Sequence, residues 1–260
     1  MAPLINYSVT DNHIAVVTLN RPEAMNALSA PLLDELNAYI EKINNDDTIR
    51  TTIITGAGQK AFCAGADLKE RKGMTEKQVV QAVEKISRTI NNIESMNMPV
   101  IAAMNGAAFG GGLELALGCD IRIAATGVKM GLTETSLAII PGAGGTQRLT
   151  RLIGTGQAKK LIFTAEPIPA EEALKLGVIE QISDPSQLWE EAYSLAAQVA
   201  KNGPIALKQA KAAINKGIQT DLSTGLCIER LCYNETIPTD DRIEGLQAFK
   251  EKREPVYQGK

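Results

Sequence analysis

The stretch NGAAFGGGLELALGCD, residues 105–120, places three consecutive glycines directly before a segment with the composition of a helix. Backbone N–H groups at a helix start lack intrahelical partners, and the helix dipole adds partial positive charge. Two anions suit such a terminus: a phosphate, or an oxyanion that exists only during a reaction. The loop has neither GxGxxG nor a Walker-type lysine, so the phosphate interpretation is the weaker one. Glycines that serve only tight helix–strand packing are the structural alternative.

A second loop of small residues, KAFCAGADLKE at residues 60–70, also links a strand pattern to a helix-prone segment. Its residues Ala64, Gly65 and Ala66 let a ligand approach the main chain closely. Two convergent N–H groups are what a thioester oxygen requires when it gains enolate charge. The two glycine-containing loops together therefore favour an oxyanion site.

Carboxylates are the candidates for acid–base chemistry. The only histidine, His13, lies in a predicted turn, which argues against a Ser–His or Cys–His system and against a histidine metal site. Glu114 is the only charged residue between Gly106 and Cys119, and a buried carboxylate is costly unless it is used or paired. Glu134 precedes another glycine-rich turn. Each glutamate, taken alone, also fits a helix cap or a surface charge.

Hydrophobic periodicity predicts an α/β fold. An N-terminal hairpin with its turn at TDNH is followed by a helix that begins after the N-cap Ser29, a strand TTIIT, and a helix over residues 75–95. Strands PVIAAMNG, CDIRIAA and KMG continue a repeated strand–strand–helix order, and residues 156–252 are predicted to be almost entirely helical. We expect an α/β core of stacked strand–strand–helix turns and a C-terminal helical region, with no independent second domain.

Periodicity predicts which residues form the apolar faces of the first two long helices. The first helix places its apolar residues at Leu32, Leu33, Leu36, Tyr39, Ile40 and Ile43. The second places them at Val79, Val83, Ile86, Ile90 and Ile93. Both sets follow the i, i+3, i+4 spacing of an amphipathic helix, so each helix is expected to bury one face.

Composition narrows the class of protein. The 260 residues are 44% hydrophobic and 22% charged, with a net charge of −3, which predicts a soluble globular chain and argues against a polyanion-binding surface. The cysteines show neither zinc-site spacing nor a secreted pattern; they are Cys63, Cys119, Cys227 and Cys232. The N-terminus has no signal pattern, and no apolar run reaches the about 18 residues of a membrane span. We expect a cytoplasmic protein without a metal.

Three segments carry a resemblance to a known family. AFCAGADLKE at 61–70, NGAAFGGGLELALGCDIRIAA at 105–125 and ETSLAIIPGAGGTQRL at 134–149 resemble the enoyl-CoA hydratase/isomerase (crotonase) superfamily. The likeness runs from residue 19 nearly to the C-terminus. It implies an α/β crotonase (ClpP-like) spiral of ββα units over residues 1–195 and a C-terminal helical trimerisation region over residues 196–260, which together form one functional unit. It also implies an acyl-CoA thioester substrate, no cofactor beyond the coenzyme A that the substrate carries, and a homohexamer built as a dimer of trimers.

The resemblance also implies roles for individual residues. The backbone N–H groups of Ala64 and Gly111 form the oxyanion hole in this assignment. Glu114 and Glu134 hold one water between them, with Glu134 supplying the proton at C2 and Glu114 activating the water that attacks C3. The N–H of Gly142 orients the Glu134 carboxylate.

Coenzyme A contacts are likewise carried over from the resemblance. The predicted substrate-binding residues are Ala24, Ala64, Gly65, Ala66, Asp67, Leu68, Gly111, Phe249 and Lys252. Phe249 and Lys252 are expected to reach coenzyme A in a neighbouring subunit. Where many hydratases of the family carry a lysine after NRP, this chain has Glu23, which removes one contribution to phosphate binding.

Within the family, the segment DLSTGLCIERLCYNETIPTDDRIEGLQAFKEKR at residues 221–253 most resembles the methylglutaconyl-CoA hydratase branch. That branch includes a member described as binding RNA through a lysine-rich helix. The matching helix and its flanks here carry five acidic residues against two basic ones: Asp34, Glu35, Glu41, Asp46 and Asp47 against Lys42 and Arg50. This charge repels a phosphate backbone, so no nucleic-acid partner and no membrane partner is expected.

The leading hypothesis is hydration of a trans-2-enoyl-CoA to the 3-hydroxyacyl-CoA. The alternatives are methylglutaconyl-CoA hydration, an enoyl-CoA isomerase, which commonly needs one carboxylate, and an acyl-CoA-binding protein without activity. The presence of both glutamates favours hydration. The far end of the acyl pocket is expected to come from residues 70–95 and 132–140. Fatty-acid oxidation and leucine degradation both stay open as pathways.

Overall fold

The computed structural model describes residues 3–260, which contain ten strands and eleven α-helices. The strands are β1 (Ile5–Val9), β2 (Ile14–Leu19), β3 (Thr51–Gly56), β4 (Ala61–Cys63), β5 (Val100–Met104), β6 (Ala107–Phe109), β7 (Ile121–Ala125), β8 (Lys129–Gly131), β9 (Ile168–Pro169) and β10 (Gln181–Ser183). The helices are α1 (Ala30–Asn44), α2 (Leu68–Arg71), α3 (Glu76–Glu94), α4 (Gly111–Gly118), α5 (Gly145–Ile153), α6 (Thr155–Thr164), α7 (Ala170–Leu176), α8 (Leu188–Ala200), α9 (Pro204–Gly217), α10 (Leu222–Thr236) and α11 (Asp240–Glu251).

The strands form two sheets that the chain visits alternately. A six-stranded sheet has the order β1-β2-β3-β5-β7-β10, and a four-stranded sheet has the order β4-β6-β8-β9. Each turn contributes one strand to each sheet, first β3 and β4, then β5 and β6, then β7 and β8, with helices following. Neighbouring turns pair in parallel, β3 with β5 and β5 with β7. The structure thus has the predicted α/β spiral of ββα units.

The N-terminal hairpin and the first helix form as predicted. β1 pairs antiparallel with β2, with Ile5 opposite Leu19, and the exposed His13 takes a φ of 61° in the turn between them. The Ser29 side chain accepts a hydrogen bond from the Leu32 N–H at the start of α1. The predicted apolar face of α1 is buried except at Tyr39, which is half-buried and stacks on Tyr7.

The apolar face of helix α3 packs into the core along one part and borders a cavity along the other. Its N-cap Thr75 and Gln78 form a capping box. Ile86, Ile90 and Ile93 are buried in the core, whereas Val79 and Val83 stay partly exposed and line a cavity. A single amphipathic face therefore stabilises the fold at one end and shapes a binding space at the other.

The C-terminal half departs from the prediction of almost continuous helix. Strands β9 and β10 interrupt it, and β10 pairs in parallel with β7 at the edge of the large sheet. A strand of three residues shows too little alternation for a sequence pattern, and its pairing depends on a strand about 60 residues earlier. The predicted division between residues 195 and 196 falls inside α8, which is followed by α9, α10 and α11.

No helix within residues 3–260 has the length and apolar composition of a membrane span. The four cysteines carry free thiols, and Cys63 and Cys119 are buried in the core. Burial raises the pKa of both of these thiols to about 12. Both therefore stay protonated near neutral pH and act as small apolar core residues.

Candidate active site

A cavity of about 570 Å³ opens at the N-terminal end of α4. Its walls come from the loop before α2, from α2 and α3, from the start of α4, and from residues 133–143. These are the segments that the sequence analysis singled out for chemistry. The polar residues of the lining include Glu114, Glu134 and Arg71, and most of the remaining wall is apolar.

Gly110 sets the geometry of the α4 terminus. Its backbone has φ 49° and ψ −123°, a conformation for which glycine is suited, and its N–H donates to the Gly131 carbonyl at 2.9 Å. A Cβ atom at this position would lie 2.9 Å from Oε1 of Glu134. The glycine therefore brings the backbone next to a carboxylate. Gly111 follows it as the first residue of α4, and its N–H has no acceptor within residues 3–260.

The structure corrects one member of the predicted N–H pair. The Ala64 N–H donates to the Met25 carbonyl at 3.0 Å, so it is engaged in the fold and is not available to a ligand. The Ala66 N–H has no acceptor in the part of the chain that the structure describes. Gly65, between them, has φ 90°, and a Cβ there would lie 3.1 Å from the Gly111 nitrogen. Ala66 and Gly111 therefore supply two unpartnered N–H groups at the end of the cavity where α4 begins.

Glu114 is fixed in place by the loop before α5. The residue is 2% exposed, and its Oε1 accepts hydrogen bonds from the N–H groups of Ala143 and Gly145, both at 2.8 Å. Burial raises the pKa of this carboxyl above its ordinary value, and the two N–H donors act in the opposite direction. These bonds orient the carboxylate toward the cavity that it lines.

Glu134 begins a short 3₁₀ helix, Glu134–Leu137, shortly after β8 ends at Gly131. Its Oε2 is buried and has no hydrogen-bond partner within residues 3–260. Burial, reinforced by the nearby negative charge of Glu114, raises the pKa of Glu134 to about 7. An unpartnered buried carboxyl oxygen is costly in a folded protein, so this oxygen is a candidate to bond a substrate or a reacting water.

Gly142 lines the cavity but does not hold Glu134 as expected. Its N–H has no acceptor among the described residues, and a Cβ at this position would lie 2.7 Å from Cγ1 of Val83. The neighbouring N–H groups of Ala143 and Gly145 bind Glu114 instead. The loop at residues 141–145 therefore orients the other carboxylate.

The predicted coenzyme A residues fall into two groups. Gly65, Ala66 and Leu68 line the cavity, together with Ala64 and Gly111. Asp67 does not line it, because its carboxylate caps α2 and pairs with Arg21 at 3.0 Å. Ala24, Phe249 and Lys252 also lie outside the lining, and Phe249 is 86% exposed on α11. Within a single chain the structure brings only the first group to the cavity.

Arg71, at the end of α2, is the residue that sequence reasoning did not single out. It lies inside the range 70–95 that was expected to form the pocket, but residues there could not be ranked. Its positive charge lowers the pKa of both Glu114 and Glu134, which places it near the pair. A single arginine in the charged run DLKERK has no sequence signal of its own.

Two carboxyl groups and two unpartnered N–H groups border one cavity in a ββα spiral, an arrangement suited to an enzyme that moves protons and stabilises an oxyanion. The family model described as enoyl-CoA hydratase/isomerase matches residues 9–260. The chain belongs to this family, and its fold is the crotonase fold.

The similar proteins include hydratases. A structure of enoyl-CoA hydratase from Bacillus anthracis is 53% identical and superposes with a TM-score of 0.98, covering 99% of this chain and 100% of that one. The human mitochondrial methylglutaconyl-CoA hydratase is 50% identical over 95% of this chain and 74% of its own length. The short-chain-enoyl-CoA hydratase of Clostridium acetobutylicum is 44% identical over 94% and 93%.

Proposed function

We propose that this chain is a hydro-lyase that adds water across the C2–C3 double bond of a trans-2-enoyl-CoA to give a 3-hydroxyacyl-CoA. The observation that carries the proposal is the presence of both glutamates on one cavity, beside the unpartnered N–H groups of Ala66 and Gly111. The hydratase names of similar proteins support the same reaction.

The N–H groups of Ala66 and Gly111 bind the thioester oxygen in this proposal. When a hydroxyl group adds at C3, electron density moves from the double bond to that oxygen and creates enolate charge. Two N–H donors and the positive end of the α4 dipole stabilise this charge more than the neutral carbonyl of the substrate. Ala66 takes the place that the sequence analysis assigned to Ala64.

The two glutamates act as the general base and the general acid in this proposal. Glu114, held by two N–H groups, accepts a proton from the water as its oxygen bonds to C3. Glu134, whose pKa of about 7 leaves a protonated fraction near neutral pH, delivers a proton to C2. The net change is the addition of one H and one OH, and the proton accepted by Glu114 restores Glu134. Because the two carboxyls interact, their titration belongs to the pair.

Substrate size, assembly and location complete the proposal. The cavity of about 570 Å³ has mainly apolar walls, and we propose that it takes a short or branched acyl group. The proposed assembly is a homohexamer built as a dimer of trimers, and the exposed apolar residues on α9, α10 and α11 support association with other subunits. In such an assembly a neighbouring subunit supplies Phe249 and Lys252 to coenzyme A.

The reaction needs no cofactor other than the substrate's coenzyme A, and the cytoplasm stays the predicted location.

The test follows the loss of the conjugated enoyl-thioester absorbance with crotonyl-CoA. Glu114→Gln and Glu134→Gln are each expected to lower kcat by about 10²–10⁴-fold, because each removes one proton-transfer group. Glu84→Gln is the matched control, since Glu84 is exposed on α3 and does not line the cavity. An unchanged kcat in either active-site variant would contradict the two-glutamate mechanism.

The isomerase alternative has its own measurement. A 3-enoyl-CoA offered to the wild-type protein gains the conjugated absorbance if the double bond shifts to C2. An isomerase needs one carboxylate to move one proton, so one glutamate variant would keep its activity. Turnover of 3-enoyl-CoA without hydration of crotonyl-CoA would replace the hydratase proposal with the isomerase. Binding of acyl-CoA without either reaction would leave the non-catalytic alternative.

A further inference from the structure

Glu114 depends on a short stretch of main chain for its orientation. Its Oε1 accepts hydrogen bonds from the N–H groups of Ala143 and Gly145, both at 2.8 Å. These two N–H groups belong to the peptide units on either side of the one that joins Ala143 to Gly144. Both donors therefore converge on one oxygen only for particular dihedral angles at Ala143 and Gly144.

Local sterics do not fix these dihedral angles. Gly144 has φ 103° and ψ 1°, and a glycine adopts positive and negative φ about equally readily. The segment PGAGG at residues 141–145 contains three glycines in five residues. The loop therefore needs bonds from elsewhere in the fold to keep both donors on Glu114.

Arg148 on α5 supplies a bond at the critical point. Its Nη1 donates to the Ala143 carbonyl at 3.0 Å, and this carbonyl belongs to the peptide unit between the two donors. The guanidinium lies directly against Gly144, because a Cβ at that position would overlap Nη1. Ala143 thus bonds Glu114 through its N–H and Arg148 through its carbonyl.

The remaining nitrogens of Arg148 are anchored on α3. Nε and Nη2 donate to the two carboxylate oxygens of Glu94, at 3.2 and 2.6 Å, in the paired geometry that a guanidinium favours. Nη2 also donates to Oδ1 of Asn91 at 2.7 Å. Arg148 therefore connects the loop that holds Glu114 to the helix that forms one wall of the cavity.

Arg148 also acts on Glu114 through its charge. Burial raises the pKa of Glu114, and the positive charge of Arg148 acts in the opposite direction, together with the two N–H donors. The other charged groups that act on this carboxyl are Arg71 on α2 and Glu134 after β8. Loss of the Arg148 charge is therefore expected to favour the protonated form of Glu114.

We propose that Arg148 is a positioning residue, which holds the loop at residues 143–145 in the conformation that orients Glu114 toward the reacting water. Arg148 does not line the cavity, so it acts through Glu114 and not on the substrate. The inference rests on the proposed function, in which Glu114 accepts a proton from the water. A displacement of about 1 Å in a catalytic group lowers a rate by about 100-fold, so the loop geometry matters for kcat.

The kinetic test compares Arg148→Gln with the matched control Arg151→Gln on crotonyl-CoA. Arg151 is exposed on the same helix and bonds Gln147. Arg148→Gln is expected to lower kcat by about 10- to 100-fold with little change in KM, whereas the control keeps the wild-type kcat. In a Glu114→Gln background the same change is expected to lower the residual kcat by less than about threefold, because no base is left to position. Equal falls of kcat in both backgrounds would overturn the inference.

The pH profile tests the link through the charge. Glu114 must be unprotonated to accept a proton, so Arg148→Gln is expected to move the acidic limb of the kcat profile to higher pH. Arg148→Lys keeps the charge but cannot make the planar set of bonds, so it is expected to lower kcat with a smaller move of this limb. An acidic limb that stays in place in Arg148→Gln contradicts the inference.

A second variant serves if Arg148→Gln does not fold. The double variant Asn91→Ala with Glu94→Ala removes both acceptors on α3 and leaves the arginine in place. It is expected to lower kcat in the same direction, and Glu84→Ala, at an exposed position of α3, is its control. An unchanged kcat in the double variant would overturn the inference.

A measurement without turnover separates this inference from the hydratase proposal. Carbon-13 NMR of labelled glutamate side chains follows the titration of Glu114, whose signal is assigned by its loss in Glu114→Gln. Arg148→Gln is expected to raise the pKa of Glu114, and Arg151→Gln is expected to leave it unchanged. If the wild type hydrates no enoyl-CoA but this pKa rises, the link between Arg148 and Glu114 stands and the hydratase proposal fails. If the wild type is active and this pKa does not move, the inference fails and the hydratase proposal stays in place.

Discussion

Helix α4 and the C-terminal helices α9 and α10 use apolar residues in opposite ways. All eight residues of α4, including Glu114, are buried within the chain. No residue of α9 or α10 is buried, and Ile214 and Leu222 are 68% and 79% exposed. Helix α4 therefore completes its burial within one chain, whereas the C-terminal helices present apolar surface that residues 3–260 do not cover.

This difference shows that composition alone does not decide burial. Helices α9 and α10 pack mainly on each other, and Gly217 and Gly225 allow their backbones to approach closely. Several of their large apolar side chains are exposed and create an apolar surface, which is typical of a region that binds another protein. The proposed homo-oligomer would cover it, and the two regions then serve catalysis and assembly separately.

The largest expected effect comes from adding one methyl group to a glycine in each region. In Gly112→Ala the new Cβ overlaps the Cys63 carbonyl oxygen in the packed core, so the free energy of unfolding is expected to fall by more than about 4 kcal/mol. In Gly225→Ala the nearest atom is 3.6 Å away, and the helix is expected to gain up to about 1 kcal/mol. Denaturant unfolding measures both. Similar losses in the two variants would contradict the contrast between a packed core and an open helical surface.

The next effect concerns assembly. The double variant Ile214→Asp with Leu231→Asp places two charges on the exposed apolar surface of α9 and α10, and burial of each original side chain is worth about 1.5–3 kcal/mol. Analytical ultracentrifugation is expected to show a hexamer for the wild type and smaller species for the variant. Val9→Asp, at an exposed apolar position on β1, is the control. A monomeric wild type would contradict the oligomer proposal.

A smaller effect appears in the pH dependence of the two regions. Burial raises the pKa of Glu134 to about 7, whereas hydrogen bonds from Arg253 and the Val256 N–H lower the pKa of Glu244 on α11 to about 2. If Glu134 is the acid, kcat falls about tenfold per pH unit as the pH rises above about 7. Glu244→Gln is expected to leave this profile unchanged. A flat profile from pH 6 to 9 would exclude Glu134 as the proton donor.

The smallest effect is on stability. The folded state holds the Glu134 proton more tightly than the unfolded chain, whose carboxyl has the ordinary pKa of 4.5. The stabilising contribution is therefore complete below pH 4.5 and is lost as the pH rises through about 7. Glu134→Gln removes this loss, so its melting temperature is expected to decline less between pH 5 and 8 than that of the wild type. An equal decline in both would show that other groups control stability in this range.

The amino-acid sequence by itself determined the order of elements, the hairpin around His13, the N-cap Ser29 and the two glutamates that stand among apolar or glycine-rich residues. These features are local, because periodicity, a helix cap and a charged residue within an apolar segment can each be recognised within a few residues of the chain. The family resemblance added the spiral and the thioester site. The short strands β9 and β10 were not predicted, since their pairing partners are distant in sequence.

Only the tertiary structure decided how donors and charges are distributed around the cavity. The Ala64 N–H bonds the Met25 carbonyl, whereas the Ala66 N–H has no acceptor within residues 3–260. The loop at residues 141–145 donates its hydrogen bonds to Glu114 and not to Glu134. Within residues 3–260 the tertiary structure also placed the half-buried Arg71 on the cavity without an ion pair or side-chain hydrogen bond. An N–H, a carboxylate or a guanidinium is available to a ligand only if no group from a distant segment of the chain already bonds it. A local sequence pattern contains no information about such distant partners.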